Sequence, residues 1–367
     1  MKRVWLIAVL LTFVLTVVAY AGPKVAIVKG NEKVLKDSWK HEQWVNFVPR
    51  YPEGGRDKNL YWAPEWTKES ELEIEEMVRR AVKLAGGWPV KKGDTVLLKI
   101  NVNADLWDQF SIGRGASNEL LCITADARVA RAVALLCKES GAKKIYIAEA
   151  PGCADAIYSL NAFGHNEYSK ETGAELVSLN DRPYRWVKAP HELSMKEYAI
   201  PDVVLDADVV ISISPMKTHS IMGFSCTLKN IGIGCPPGRV YGSPKTGLPH
   251  NKCYKTVCDV CEIVDADYGV IGAIYAGEGI GPCDCDPVYM GLVIAGSDLV
   301  ATDTTACKVM GFVPSHYGVL SLAEKIGLGT MKDIEVVGED VWDVMKMFKP
   351  CPKKARTPAA WGGIIGW

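Results

Sequence analysis

The stretch Ala207–Gly234, ADVVISISPMKTHSIMGFSCTLKNIGIG, constrains the fold more than any other part of the chain. It opens with a short apolar run, Val209–Ser214, which ends at Pro215. Such a run is typical of a strand that is buried on both faces, as in a parallel sheet. The polar segment Met216–His219 follows at once. Because ligands of open α/β sheets bind at the carboxyl ends of strands, we expect a functional loop here.

The rest of the chain alternates between strand and helix patterns. The strand Thr95–Ile100 is followed by the helix Thr124–Ser140 and the strand Ile145–Ala148. This order predicts right-handed βαβ units, and hence an α/β fold: a mostly parallel twisted sheet with helices on both faces. Further strands are expected at Lys24–Lys29, Glu175–Ser178, Val270–Ala276, Met290–Ala295 and Ile334–Val337, and further helices at Glu71–Leu84, Asp155–Gly173, Lys252–Asp265, Asp298–Met310 and Val341–Phe348.

Composition is that of an ordinary globular chain. Of 367 residues, 48% are hydrophobic and 23% are charged, and the formal net charge is −1. This balance, without a basic run, argues against nucleic acid as the main partner. We expect residues 22–348 to form one α/β domain, with an aromatic-rich insertion at 31–70 and a tail at 349–367. The insertion is either a lid over the site or a loop packed against the body, and the second is the commoner case.

The segment Met1–Ala21 has the pattern of a secretory signal peptide. Lys2 and Arg3 precede an apolar run that ends in Ala19-Tyr20-Ala21. This pattern predicts cleavage before Gly22 and a periplasmic or secreted protein, which meets the membrane only through the signal segment. The alternative is an uncleaved membrane anchor. Export in the unfolded state argues against an iron–sulfur cluster, but it leaves open a metal ion that is available outside the cytoplasm.

Five motifs in a fixed order carry a family resemblance. They are LLKINVN at Leu97–Asn103, GRGASNELLCITADARVARAV at Gly113–Val133, MKTH with TLKN in the central stretch, GEGIGP at Gly277–Pro282 and VATDTTACKVMG at Val300–Gly311. Together they resemble the family named domain of unknown function 362. The family name records no common reaction, so this resemblance implies a fold but leaves substrate and mechanism open.

A second, local resemblance adds a chemical hypothesis. The segment from His219 through Gly223 to Lys229 is similar to a stretch of the nickel-pincer lactate racemases. In those enzymes a His acts as acid and base, and a Lys holds the cofactor. The next His of the racemases, a nickel ligand, has no counterpart at the same distance, where Lys245 stands, although His250 is near.

The candidate catalytic residues are His219 and Lys217. A His titrates near neutral pH, and a neighbouring Lys favours its neutral, basic form. A structural His that is hydrogen-bonded within the loop is the alternative. Other polar residues lie at strand ends and turns, where Lys and Arg can bind a carboxylate or phosphate. The candidate ligand-binding residues are Lys99, Asn101, Arg114, Lys229, Asn230, Glu278 and Asp303.

Cysteine usage allows two interpretations. The chain has 12 Cys, an even number in a chain with an export pattern, which favours disulfides. We expect Cys283 or Cys285 to pair with Cys235 or Cys253. The alternative is a soft metal site formed by Cys283, Cys285 and His250.

The sequence thus favours an enzyme that acts on a small anionic substrate by proton transfer at a Lys/His loop. A non-catalytic ligand-binding or metal-dependent redox protein is the first alternative, and a structural protein of the cell surface is the second. The cofactor is unknown, with a metal ion as one option, and the oligomeric state stays open.

Overall fold

A computed structural model of the chain describes residues 22–36, 66–102, 121–152, 155–242 and 244–352. The predicted signal segment, most of the aromatic-rich insertion, Arg114 and most of the tail lie outside the described residues. Expectations about those segments therefore stay predictions.

A nine-stranded sheet forms the centre of the molecule. Its spatial order is β11-β1-β10-β9-β7-β2-β3-β4, and β8 pairs with β7 outside this path. The strands β5 and β6 form a separate antiparallel hairpin. The strands are β1 (Lys24–Lys29), β2 (Thr95–Ile100), β3 (Lys144–Glu149), β4 (Glu175–Ser178), β5 (Tyr184–Lys188), β6 (Glu197–Pro201), β7 (Val209–His219), β8 (Gly223–Ser225), β9 (Tyr268–Ile280), β10 (Asp284–Gly296) and β11 (Glu335–Gly338).

Most neighbouring strands in the large sheet are parallel. Parallel pairs join β11 to β1, β9 to β7, β7 to β2, β2 to β3 and β3 to β4. Antiparallel pairs join β1 to β10, β10 to β9 and β7 to β8. The predicted mostly parallel sheet is confirmed, with an antiparallel section around β10.

Helices cover both faces of the sheet. They are α1 (Glu32–Lys36), α2 (Lys68–Ala85), α3 (Ala127–Glu139), α4 (Ala156–Ala162), α5 (His165–Thr172), α6 (Asp202–Leu205), α7 (Thr227–Gly232), α8 (Gly238–Tyr241), α9 (Cys253–Val264), α10 (Leu299–Val309), α11 (Gly318–Ile326) and α12 (Val341–Val344). Within the described ranges, no helix is both long and apolar enough to cross a membrane.

Side-chain alternation along the central strands divides the core in two. Leu97 and Val210 belong to one buried apolar cluster, and their chain neighbours Leu98 and Ile211 belong to another. Successive residues of a strand point to opposite faces, so each face of the sheet has its own core. Helices α7, α9, α10 and α11 pack in the first cluster, and α2 and α3 pack in the second. This arrangement confirms helices on both faces.

The structure corrects the predicted end of the central strand. The prediction placed Met216–His219 in a loop, but β7 continues to His219 and is buried throughout. Pro215 is accommodated by a shift in register against β9 between Pro215 and Lys217. Proline cannot donate a ladder hydrogen bond, and inside sheets it is confined to edges and bulges. The bulge lets a central strand carry polar side chains to its carboxyl end.

The Gly-rich segment between the predicted strands Val270–Ala276 and Met290–Ala295 also differs from expectation. It is the paired end of a long hairpin, in which Cys285 lies opposite Gly279 and Asp286 lies opposite Glu278. Glycine has a low strand propensity, so the expected strands stop at Ala276 and start again at Met290. Pairing across the hairpin overrides that propensity and places Pro282 and Cys283 at its tip.

Candidate functional site

A cavity of about 230 Å³ opens at the carboxyl ends of β2, β3 and β7. This is the sheet edge at which the sequence predicts a site. Ligand sites for larger molecules usually measure about 300–1,000 Å³, so the cavity suits a small ligand. Its lining residues are Asn101, Glu149, Ala150, Gly152, His219, Ser220, Ile221, Lys229, Ile233, Gly234, Pro244, Lys245, His250, Cys253, Pro282 and Cys283.

A buried ion pair lies at the base of the cavity. The Lys99 ammonium group is 2.8 Å from Glu149 Oε1, and both side chains are almost fully buried. Glu149 also accepts hydrogen bonds from the backbone N–H groups of Val102 and Ala150, at 2.6 and 2.7 Å. Lys99 is therefore neutralised within the protein. The sequence analysis did not identify Glu149, because it is the last residue of a strand that was predicted to end one residue earlier.

Asn230 fixes helix α7 to the sheet. Its Nδ2 donates to the carbonyl oxygens of Lys99 and Ile213, at 2.8 and 3.1 Å, and its Oδ1 accepts from Lys99 Nζ at 2.9 Å. These bonds engage both ends of the amide, and Asn230 does not line the cavity. The structure thus gives Asn230 a positioning role: it holds the helix that carries Lys229.

Gly234 occupies a place where no side chain fits. A Cβ atom at this position would lie 2.0 Å from the backbone oxygen of Asn230 and 2.4 Å from Lys99 Nζ. The absence of a side chain lets the segment after α7 approach the buried lysine closely.

Lys217 contacts the site through Asn101. Its Nζ donates to the backbone oxygen of Ile123 and, at 3.2 Å, to Asn101 Oδ1. Both acceptors are neutral, and Lys217 itself is buried and does not line the cavity. The geometry therefore makes Lys217 a group that orients Asn101 and adds positive charge close to the ligand space.

His219 lines the cavity at the end of β7 with one ring nitrogen already engaged. Its Nδ1 lies 3.0 Å from the backbone N of Ile221 and 3.3 Å from that of Met222. Since both backbone groups donate, Nδ1 is the acceptor and the neutral ring carries its proton on Nε2. Burial, followed by the positive charges of Lys229 and Lys217, holds the pKa of His219 well below its usual range. The ring is therefore neutral at physiological pH.

Two lysines give the cavity its positive charge. The ammonium group of Lys229, on α7, has no hydrogen bond or ion pair with any described residue, and burial lowers its pKa. Lys245 donates to the backbone oxygen of Ile233 at 2.7 Å, and burial lowers its pKa to about 7. The sequence analysis did not propose Lys245 as a site residue, because a single lysine in a Gly/Pro-rich loop carries no recognisable pattern.

His250 and two cysteines complete the lining. The Nδ1 atom of His250 is 2.8 Å from the backbone oxygen of Leu248 and donates to it. Cys253, at the start of α9, and Cys283, at the hairpin tip, line the same cavity. Cys285 does not, because it lies on β10 with its sulfur 3.8 Å from Thr218 Oγ1.

The described cysteines form no disulfide, so the predicted bond among Cys235, Cys253, Cys283 and Cys285 is not observed. Cys235 is buried in the apolar core, while Cys285 is held in the ladder between β9 and β10. The predicted metal set is also not observed. Among the described residues, no group of three or more His, Cys, Asp or Glu side chains is arranged to hold a metal ion.

Two predicted acidic residues serve the fold outside the cavity. Glu278 pairs with Lys349 at 2.9 Å and accepts its backbone N–H. Asp303 caps α7 by accepting the backbone N–H groups of Thr227 and Leu228, at 2.8 and 3.1 Å. Burial raises the pKa of Asp303 to about 7, although these hydrogen bonds oppose the shift. Arg114, the remaining candidate, lies outside the described residues.

The family profile described as "Domain of unknown function (DUF362)" matches residues 96–308, more than half of the chain. The protein belongs to the DUF362 family. The matched region includes β3, β7, all of β2 except Thr95, and every residue that lines the cavity, so the candidate site lies within the family domain.

Similar proteins are known by sequence and by structure. A thylakoid-associated protein of Synechocystis sp. (strain ATCC 27184 / PCC 6803 / Kazusa) is 27% identical over 241 residues, which cover 65% of this chain and 70% of that protein. Among solved structures, the lactate racemase apoprotein from Thermoanaerobacterium thermosaccharolyticum matches with a TM-score of 0.36 and 13% identity, over 63% of this chain and 55% of that one. A Thermotoga maritima protein matches with a TM-score of 0.35 and 15% identity, over 70% of this chain and 59% of that one.

A racemase is thus among the solved structures that this DUF362 protein matches. The chain spans only 55% of that racemase's length, and a match at this TM-score transfers no residue roles. The described donors do not fit a metal centre built by the protein.

Proposed function

We propose that this DUF362 protein binds a small anionic ligand in the cavity and promotes proton transfer on it. The observation that carries the proposal is the ammonium group of Lys229, which lines the cavity without a partner among the described residues. Glu149 is the one carboxylate among the described lining residues, and Lys99 already neutralises it.

The charge balance of the cavity favours an anion. Lys99 and Glu149 cancel, while the hydrogen bonds of Lys217 to described residues go to neutral oxygens. Lys229 and Lys245 add positive charge at the cavity wall, and neither forms an ion pair with a described carboxylate, although Glu149 lies close enough to act electrostatically on Lys245. A buried charge without a partner is costly, and burial accordingly lowers the pKa of both lysines. A bound anion would remove this cost by supplying the missing negative charge.

The remaining lining groups suit a ligand with a short carbon skeleton. Ala150, Ile221, Ile233 and Pro244 supply apolar surface, and His219 supplies an Nε2–H donor. A fixed hydrogen-bond donor stabilises negative charge that develops on a ligand oxygen during proton transfer. The cavity thus combines anion recognition with a means of stabilising a more negative transition state.

Direct measurement of anion binding tests the first half of this proposal. We would titrate the full chain with inorganic phosphate and with acetate by isothermal titration calorimetry, and repeat both with Lys229→Met. Loss of a charge-assisted hydrogen bond costs about 1.5–3 kcal/mol, so we expect the variant to bind about 10- to 100-fold more weakly. Lys332→Met removes a lysine whose side chain is 77% exposed and is the matched control. Equal affinity in the two variants would contradict the proposal.

We also propose that the protein works outside the cytoplasm. This rests on the charged, apolar and Ala-Tyr-Ala pattern of residues 1–21. The similar protein from Synechocystis is named thylakoid-associated, and this location is a property of that protein.

A further inference from the structure

The two histidines of the cavity use Nδ1 in opposite ways. In His219, Nδ1 accepts hydrogen bonds from the backbone N–H groups of Ile221 and Met222. In His250, Nδ1 faces the backbone oxygen of Leu248 at 2.8 Å, and a carbonyl oxygen can only accept. A neutral imidazole has one N–H and one lone pair, so each contact fixes the tautomer of its ring. His219 is left with Nε2–H, and His250 is left with a lone pair on Nε2.

Protonation has different consequences for the two rings. A second proton on His219 would have to bind Nδ1, which would break both backbone hydrogen bonds. It would also place a cation close to Lys229 and Lys217, whose charges, with that of His250, already oppose protonation of this ring. A second proton on His250 would bind Nε2 and leave the Nδ1–H bond to Leu248 in place. His250 is also partly exposed, whereas His219 is buried, so its imidazolium form retains more solvation.

We propose that His250 Nε2 is the proton acceptor of this cavity and that His219 Nε2–H is the fixed donor that stabilises the resulting anion. This inference rests on the proposed function. It gives His250 the role of base, which the sequence pattern predicts for His219. In the step, the X–H bond of the bound ligand breaks and its electron pair stays on the ligand. The proton forms an N–H bond at His250 Nε2, and the new negative charge lies near His219 Nε2–H and the Lys229 ammonium group.

Long-range ¹H–¹⁵N NMR of the histidine rings tests this assignment directly. The chain has 6 His, so the spectrum is simple. Signals are assigned with His250→Gln and His219→Gln in the full chain. If His219→Gln does not fold, the His219 ring can be assigned in the unmodified protein. Its Nδ1 should show an NMR scalar coupling, across the hydrogen bond, to the amide nitrogen of Ile221. Between pH 5 and 8, we expect His219 to stay in the Nε2–H form. We expect neutral His250 to carry its proton on Nδ1 and to leave the lone pair on Nε2.

Added phosphate supplies a second measurement. Because both histidines line the cavity, saturating phosphate should shift the ring signals of both and leave His219 in the neutral Nε2–H form. A proton on Nδ1 of His219, or a neutral His250 with its proton on Nε2, would overturn the inference. Failure of phosphate to bind at all would instead refute the proposed anion site, and the tautomers measured without ligand would still decide which ring can accept a proton.

Discussion

The buried pair of Lys99 and Glu149 allows a sharp test of how the base of the cavity is built. Lys99→Met would leave Glu149 without its cation and Asn230 Oδ1 without its donor, and the side chains of Lys99 and Glu149 are almost fully buried. Breaking a buried pair by removing one partner typically costs about 3–5 kcal/mol. Glu149→Gln should cost a similar amount, because Lys99 loses its carboxylate. The bonds from Val102 and Ala150 then also compete for a single amide oxygen.

The double variant Lys99→Met/Glu149→Gln decides whether charge pairing is the cause. It removes both charges, so its loss of unfolding free energy should be smaller than the sum of the losses in the two single variants. The difference, which is the coupling energy of the pair, should be at least about 0.5 kcal/mol and up to about 3 kcal/mol. Urea unfolding followed by circular dichroism gives these free energies. The matched control is Lys144→Met, which breaks a pair between half-exposed side chains, Lys144 and Glu175, and should change stability little. A cost below about 1 kcal/mol for Lys99→Met, or strict additivity in the double variant, would refute this account of the site.

Three further outcomes follow from the structure. Burial raises the pKa of Asp303 from 3.8 to about 7, so between these pH values the folded state keeps a proton that the unfolded state releases. The contribution of Asp303 to stability should therefore be present below about pH 4 and lost as the pH rises to about 7. Asp303→Asn should flatten that part of a stability–pH curve measured by thermal unfolding. Gly234→Ala should lower the free energy of unfolding by about 1–3 kcal/mol in urea titrations, because its Cβ would overlap Asn230 and Lys99, and an unchanged midpoint would show that the loop can move away. N-terminal sequencing of the protein from its native host should begin at Gly22, and a Met1 start in a membrane fraction would overturn the predicted cleavage.

Sequence patterns located the site better than they assigned its residues. The apolar run Val209–Ser214 identified the central strand, and the polar segment after it led to His219 and Lys229, which do line the cavity. This works because strand burial and the position of ligands at strand ends follow from hydrophobic pattern and topology alone. Which polar groups pair with one another depends on contacts between residues far apart in sequence. Lys99 and Glu149 are separated by 50 positions, and no local pattern links them.

Two kinds of local signal were misleading. Pro215 suggested the end of a strand, but a bulge against β9 lets β7 continue to His219. Asp303 suggested a ligand group, because it lies in a family-like motif close to a helix start, yet it accepts the backbone N–H groups of α7. A carboxylate that caps another helix and one that contacts a ligand look the same in sequence. Only the three-dimensional position of their partners distinguishes them.

Whether this DUF362 protein is an enzyme or a binding protein depends more on its histidines than on its lysines. Lys229 and Lys245 would serve either function, because both functions require compensation of an anion's charge. A binding protein has no need of two histidines fixed in opposite tautomers on the walls of one small cavity. Proton transfer requires a lone pair on one side and a donor on the other, and the contacts of His250 with Leu248 and of His219 with Ile221 provide that combination. The tautomers therefore favour proton transfer over binding alone.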